Sequence, residues 1–243
     1  MKSRKGVHLL PSLFTTGNVF CGFYSFIAAL NDKFLLAAWA IVLATIFDFL
    51  DGRIARMTKT TSDFGMQYDS LADVISFGMA PAFLCYAWVL KPFGRIGWMA
   101  AFLYLLCAAL RLARFNTTKE VQNQYFIGLA TPAAAAVIAS ILIAFEDLFG
   151  SRVHPGFMVA IVYILAFLMV SNIKYPAFKK FEFRKRVSFT RFLLVILVLY
   201  ALATIPKIAL FIISFGYTML GPIVAFSFQK NNLNAVSDNI KFP

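Results

Sequence analysis

The chain has 243 residues, of which 60% are apolar and only 14% charged, too few polar side chains to cover a surface that faces water. Its formal net charge of +12 would suit nucleic acid if the Lys and Arg formed a stripe on a polar domain. They fall instead in short clusters between long apolar blocks, which argues for no nucleic-acid partner and for a chain whose solvent is a lipid bilayer.

Lys2, Arg4 and Lys5 precede the first apolar block. No small-residue cleavage site follows, so the block is read as a retained span. A hydrocarbon core about 30 Å thick needs about 20 helical residues, and in lipid the backbone is satisfied only by helices or closed barrels. The apolar blocks predict helices over 13–30, 34–52, 67–90, 97–115, 127–146, 155–172, 191–206 and 208–228, an all-α polytopic membrane protein of about eight spans. The seventh is the least regular, because Pro206 interrupts it. With the N-terminus in the cytoplasm, eighteen Lys and Arg lie on that side and five (Lys33, Lys91, Arg95, Arg152 and Lys207) on the other. That bias follows the positive-inside rule and predicts both termini in the cytoplasm, as in a bacterial inner membrane. The stretch from Lys174 to Arg191 is the most basic and reads as a topology signal beside anionic headgroups. The polar tail after Phe228 is expected to be poorly ordered. Cys21, Cys85 and Cys107 each lie inside an apolar block without metal or CxxC spacing, and are read as small buried hydrophobes.

Five of the eleven acidic residues lie between positions 48 and 73. Asp48 and Asp51 are three apart at the end of the second span, and Asp69 and Asp73 four apart at the start of the third, so each pair projects from one helix face. A short connection brings those helix ends together. An ionised Asp at membrane depth costs roughly 2.5–3.5 kcal/mol, so four of them aimed at one point need a cationic partner. Arg53 and Arg56 cannot balance four carboxylates, whereas hard divalent cations such as Mg²⁺ and Mn²⁺ prefer carboxylate oxygen. Asp63, in the polar turn from Lys59, is read as a helix cap. Gly52, Ala55 and Gly65 leave room for backbone to approach a bulky ligand.

Written out, Asp48-x-x-Asp51-Gly52-x-x-Ala55-Arg56, eight residues, then Gly65-x-x-x-Asp69-x-x-x-Asp73 resembles the full signature of the CDP-alcohol phosphotransferases. The stretches Leu10 to Asn18, Asp69 to Pro81, Arg111 to Asn116 and Phe126 to Ala134 look like the serine-using branch of that family. The resemblance covers about the first 135 residues; beyond them it rests on hydropathy. It implies a six-span catalytic core, here residues 1–173, followed by a basic loop at 174–190, two additional spans within 191–228 and a tail at 229–243. It further implies that Asp48, Asp51, Asp69 and Asp73 hold two divalent ions, Mg²⁺ or Mn²⁺, that Asp73 is the catalytic base, and that Gly52, Ala55, Arg56 and Gly65 meet the CDP-lipid, with Asn18 a further contact. The implied reaction is transfer of the phosphatidyl group from CDP-diacylglycerol to L-serine, in a homodimer.

An amino-acid acceptor needs a cation for its carboxylate, and Arg111, Arg114 and Asn116 at the end of the fourth span are candidates. The same residues also fit positive-inside anchoring and, for Asn116, a helix cap. Other acceptors (glycerol 3-phosphate, inositol phosphate) or an ether-lipid donor would use the same chemistry. An ion-coupled transporter would also carry acids within its spans. Such carriers, however, place isolated acids near the midplane between repeated halves, and no repeat is visible here.

Overall fold

A computed structural model describes residues 9–58, 62–117, 125–146, 150, 152–176, 193, 196–197, 200 and 204–239. The basic segment 177–190 and most of the seventh expected span lie outside them. The described chain is helical throughout apart from one three-residue strand pair.

Helices α1 (Leu9–Leu30) and α2 (Phe34–Thr58) form a long antiparallel pair. The turn between them is closed by Asp32 at φ 58°, with Asp32 N–H donating to Ala29 O and Lys33 N–H to Ala28 O, the two bonds of a Schellman end. Ala28, Ala29, Ala37, Ala38 and Ala44 are buried along the seam, small residues that let backbones approach where lipid supplies no hydrophobic drive.

The next segment is one bent helical run. α3 (Asp63–Asp73) passes into a π-helical turn (Val74–Met79), then α4 (Ala80–Cys85), a second π turn (Tyr86–Leu90) and a 3₁₀ turn (Lys91–Phe93). Gly94, at φ 52°, reverses the chain into α5 (Gly94–Thr117). The expected spans 67–90 and 97–115 are the two arms of this run. A π turn carries an extra residue and frees backbone groups, and neighbouring helices bond to this one. Ser76 Oγ donates to Asn18 O at 2.9 Å and Tyr104 donates to Phe77 O at 3.2 Å. Gly22 on α1 lies directly against Ser76: a methyl group built on it would overlap the Ser76 hydroxyl and lie 2.8 Å from the Ser76 Cα.

The fifth expected helix begins later than the hydropathy suggests. Residues Tyr125–Ile127 form strand β1, antiparallel to β2 (Lys174–Pro176). Gly128 follows at φ 78°, where a side chain would overlap Met169 O, and α6 (Thr131–Ala144) starts only at Thr131 with Pro132 in its first turn. α6 has 14 residues, short of a full bilayer crossing, but eleven of them are buried, so neighbouring helices rather than lipid surround it. α7 (Pro155–Val170) packs on α5, with His154 capping it by accepting from Gly156 N–H. The last helix, α8 (Pro206–Asn239), packs on α6. It starts at Pro206, as proline's fixed φ favours, and continues through the polar residues after Phe228 to Asn239, where an unordered tail is expected from composition.

Stretches long and apolar enough to cross a membrane occur at Ser12–Leu30, Phe34–Thr58, Asp63–Thr117 and Pro206–Ile223, with α6 and α7 as shorter apolar helices. The chain is an integral membrane protein. At the end of the bundle away from the acids, Trp88 Nε1 donates to Glu146, and Arg152 donates to Trp88 O at 3.0 Å while lying over the Phe34 ring. The three cysteines are buried and free.

Because Gly22 meets the backbone of Ser76, Gly22→Val is expected to cost about 1–3 kcal/mol of overpacking, read as a lower melting temperature of the detergent-purified protein. Ser76→Ala removes one hydrogen bond without a clash and should cost only about 1 kcal/mol. A Gly22→Val protein melting with the parent would mean that α1 does not press on the π turn.

Candidate metal centre and active site

α2 delivers Asp48 and Asp51, and α3 delivers Asp69 and Asp73, one helical turn apart in each case. The start of α3 is fixed locally. Ser62, one residue ahead of Asp63, is the cap, and its hydroxyl accepts from Gly65 N–H at 3.0 Å. Asp63 sits in the first turn, where a negative charge meets the positive end of the helix dipole.

Carboxylate oxygens of Asp48, Asp51 and Asp69 lie within 4.8 Å of one another. Asp73 lies one turn further along α3, beside Asp48, and its Oδ1 accepts from Asn18 Nδ2 at 3.4 Å. Asp51 accepts from the Thr15 hydroxyl and the Gly52 N–H. Asp51 and Asp73 are only 4% and 9% exposed, so bulk water does little to screen them. Oδ2 of Asp51 and Oδ1 of Asp69 are buried with no hydrogen-bond partner among the described residues. Two orphaned carboxylate oxygens beside a third acid form a hard-oxygen donor set with unused capacity, which fits a divalent cation and fits poorly with a purely structural role.

The remaining signature positions differ in what they touch. A methyl group built on Gly52 would meet nothing within 4 Å, so no neighbour among the described residues requires glycine there, and the space before it is open to a ligand. Gly65 would meet only Ser62 Oγ at 3.1 Å. Ala55 is half-buried and Arg56 is exposed. The Arg53 guanidinium lies over the Phe49 ring, 5.9 Å from its centroid.

Of the three residues considered for the acceptor, the structure sets Arg111 near Asp73, engages Arg114 at the end of α7 and places Asn116 against α3. Arg111 lies close enough for its charge to act on Asp73, donates through Nη1 to Thr131 Oγ1 at 3.4 Å, and keeps a buried Nε with no partner among the described residues. Arg114 donates to the carbonyls of Val170, Ser171 and Ile127 and to Asn172 Oδ1, which ties the end of α5 to the end of α7 and to β1. Cations suit helix C-termini for the same reason. Asn116 exchanges hydrogen bonds with Ser70 and donates to Gln67, so it braces α3 beside Asp69 and does not act as a helix cap. Thr15, which bonds Asp51, adds to the residues expected at the site; its place three residues before Asn18 on one face of an apolar helix was the signal for it.

A sequence model of the CDP-alcohol phosphatidyltransferase family matches residues 8–171. The chain is 39% identical over 233 residues to a CDP-diacylglycerol–serine O-phosphatidyltransferase of Helicobacter pylori, covering 93% of this chain and 97% of that one. Proteins of the same name from Bacillus subtilis (32% identical, 72% of this chain, 93% of that one) and Methanocaldococcus jannaschii (41% identical, 57% of this chain, 62% of that one) are also similar.

If the acids hold a divalent cation, adding Mn²⁺ or Mg²⁺ at a hundred times its dissociation constant should stabilise the purified protein by about 2.7 kcal/mol. The rise in melting temperature should be absent from the double variant Asp51→Asn, Asp69→Asn. Equal metal-induced stabilisation in both proteins would place the cation elsewhere.

Proposed function

The chain belongs to the CDP-alcohol phosphatidyltransferase family, and on that premise we propose that it transfers the phosphatidyl group of CDP-diacylglycerol to L-serine, releasing phosphatidylserine and CMP. The names of its relatives support the acceptor, and the convergence of the acids from α2 and α3 supports the chemistry. That convergence is the observation that carries the proposal.

Asp48, Asp51 and Asp69, joined by Asp73, would hold two divalent ions, Mg²⁺ or Mn²⁺, which when bound neutralise the acids and stabilise negative charge on the pyrophosphate. The other steps belong to the protein's own residues. Open backbone at Gly52, with Ala55 and Gly65 nearby, admits the cytidine nucleotide, and Arg56 lies at its edge. Asn18 donates to Asp73 and fixes that carboxylate while the rest of its oxygen edge faces the reaction. A serine hydroxyl is far too weak an acid to attack unaided, so Asp73 accepts its proton as the oxygen bonds to the phosphorus carrying diacylglycerol. The bond from that phosphorus to the bridging oxygen breaks, and the electron pair leaves with CMP. Arg111, near Asp73 with a spare Nε, receives the carboxylate of serine.

The asymmetric distribution of Lys and Arg supports a cytoplasmic site, with the chain in a bacterial inner membrane. The family resemblance supports a homodimer.

The test is a purified-protein assay with CDP-diacylglycerol and labelled serine, glycerol 3-phosphate or inositol phosphate. Serine should be the acceptor that yields labelled lipid, CMP release should stop when divalent ions are chelated, and Asp73→Asn should lower kcat by about 10²-fold or more. Turnover that survives chelation, or an Asp73→Asn enzyme as fast as the parent, would overturn the mechanism.

A further inference from the structure

α3 carries two of the four acids but has little packing to hold it. Of its eleven residues only Ala72 and Asp73, at its far end, are buried, so the turns that lead to Asp69 lie at the surface of the bundle. Direction matters there, because a metal ligand has to be held within about 0.5 Å and 20° of its working position. At about 100° per residue, Tyr68 and Ser70 project from the two flanks of α3 on either side of Asp69, while Asp73 falls within about 40° of it.

Each flank is bonded to a different helix. On one side the Tyr68 hydroxyl lies 3.0 Å from Thr16 Oγ1 of α1. Thr16 has a single hydroxyl proton, which goes to Ser12 O at 2.7 Å, so Tyr68 is the donor. On the other side Asn116 of α5 spends both amide hydrogens on α3, giving one to Ser70 Oγ at 3.0 Å and one to Gln67 Oε1 at 3.3 Å. Ser70 Oγ also lies 3.2 Å from Asn116 Oδ1, to which it donates. No amide hydrogen of Asn116 is left for the carboxylate of an acceptor.

We infer that these two clamps, Thr16 on Tyr68 and Asn116 on Ser70 and Gln67, set the rotation of α3 and with it the aim of Asp69, so that Asn116 is a positioning residue for the cation and not a contact of the acceptor. Turning α3 either way stretches a bond on one flank, and a hydrogen bond drawn out to about 3.6 Å is lost. Residues that orient a metal ligand without touching the metal commonly control its affinity by about 10–100-fold. The inference rests on the proposed metal centre and adds to it residues outside the acidic signature.

The experiment titrates Mn²⁺ calorimetrically into metal-stripped, detergent-purified parent, Asn116→Ala, Thr16→Val and Ser214→Ala, and measures the KM for serine at saturating Mn²⁺. Asn116→Ala and Thr16→Val should each weaken Mn²⁺ binding roughly tenfold, with the KM for serine unchanged. Misfolded protein lowers the stoichiometry without altering the binding constant, so the affinity is measurable even if part of a variant fails to fold. Ser214→Ala removes the 2.9 Å bond between Ser214 and Ser140 that joins α8 to α6, and should lower the melting temperature while leaving Mn²⁺ affinity with the parent. Parent affinity in both clamp variants overturns the inference alone. A raised KM for serine in Asn116→Ala would return that residue to the acceptor, and an equal loss of affinity in Ser214→Ala would assign the effect to a loosened fold; either result overturns the inference. A parent protein that binds no Mn²⁺ removes the proposed metal centre and this inference with it.

Discussion

Four carboxylates held together at the rim of an apolar bundle repel one another and lose hydration, and every other feature near them can be understood as a response to that crowding. Asp51 and Asp73 are almost wholly buried, and one oxygen each of Asp51 and Asp69 has no partner among the described residues. Uncompensated, such a group would cost on the order of 10 kcal/mol, comparable with the whole stability of a typical domain. The hydrogen bonds from Asn18, Thr15 and the Gly52 backbone offset part of this cost but leave most of the charge. A site that stays unfavourable until a cation arrives binds that cation strongly, so the instability of the empty arrangement and its affinity for metal have one origin.

Holding the acids in place requires helix ends that do not drift, and the surrounding contacts are concentrated on α3. Its start is capped by Ser62, its middle is braced by Asn116 through Ser70, and its far end runs into a π turn pinned by the Ser76 bond to α1. Gly22 allows that last contact by letting α1 lie against the backbone of the turn. Arg114, reaching four acceptors on the other side of α5, stabilises the helix from which Arg111 and Asn116 project. Polar side chains between spans thus act as spacers that set where the acids point.

The pairing of Asp48 with Asp51, and of Asp69 with Asp73, was legible because it depends on helical periodicity alone, and periodicity survives in any helix. The all-helical, apolar character of the chain was legible for the same reason, since lipid demands long apolar helices. Local backbone chemistry was harder to read. The strand at Tyr125–Ile127 hides inside an apolar run, and only Gly128 and Pro132 mark where helix becomes possible. Ser62 rather than Asp63 caps α3 because the cap is decided by which side chain can reach the Gly65 N–H, which composition does not reveal. The polar residues after Phe228 read as a disordered tail, yet helix α8 carries on through them. The bond from Arg111 to Thr131 was invisible, because nothing local links the two across twenty positions of chain.

That last separation bears on how a common core acquires a particular acceptor. The acids and the open backbone at Gly52 sit on α2 and α3, within the family match, and their proposed tasks of binding a cation and accommodating a nucleotide are the same whatever alcohol attacks. Arg111 stands where those elements meet α6, so its orientation is sensitive to a helix beyond the metal centre. A guanidinium held by nothing but its own helix can swing, whereas one held also from a second helix presents a defined edge, and edge geometry is what separates a carboxylate from a phosphate of similar charge. Selectivity can then change through a distant helix while the carboxylates, whose geometry the chemistry fixes, stay where they are.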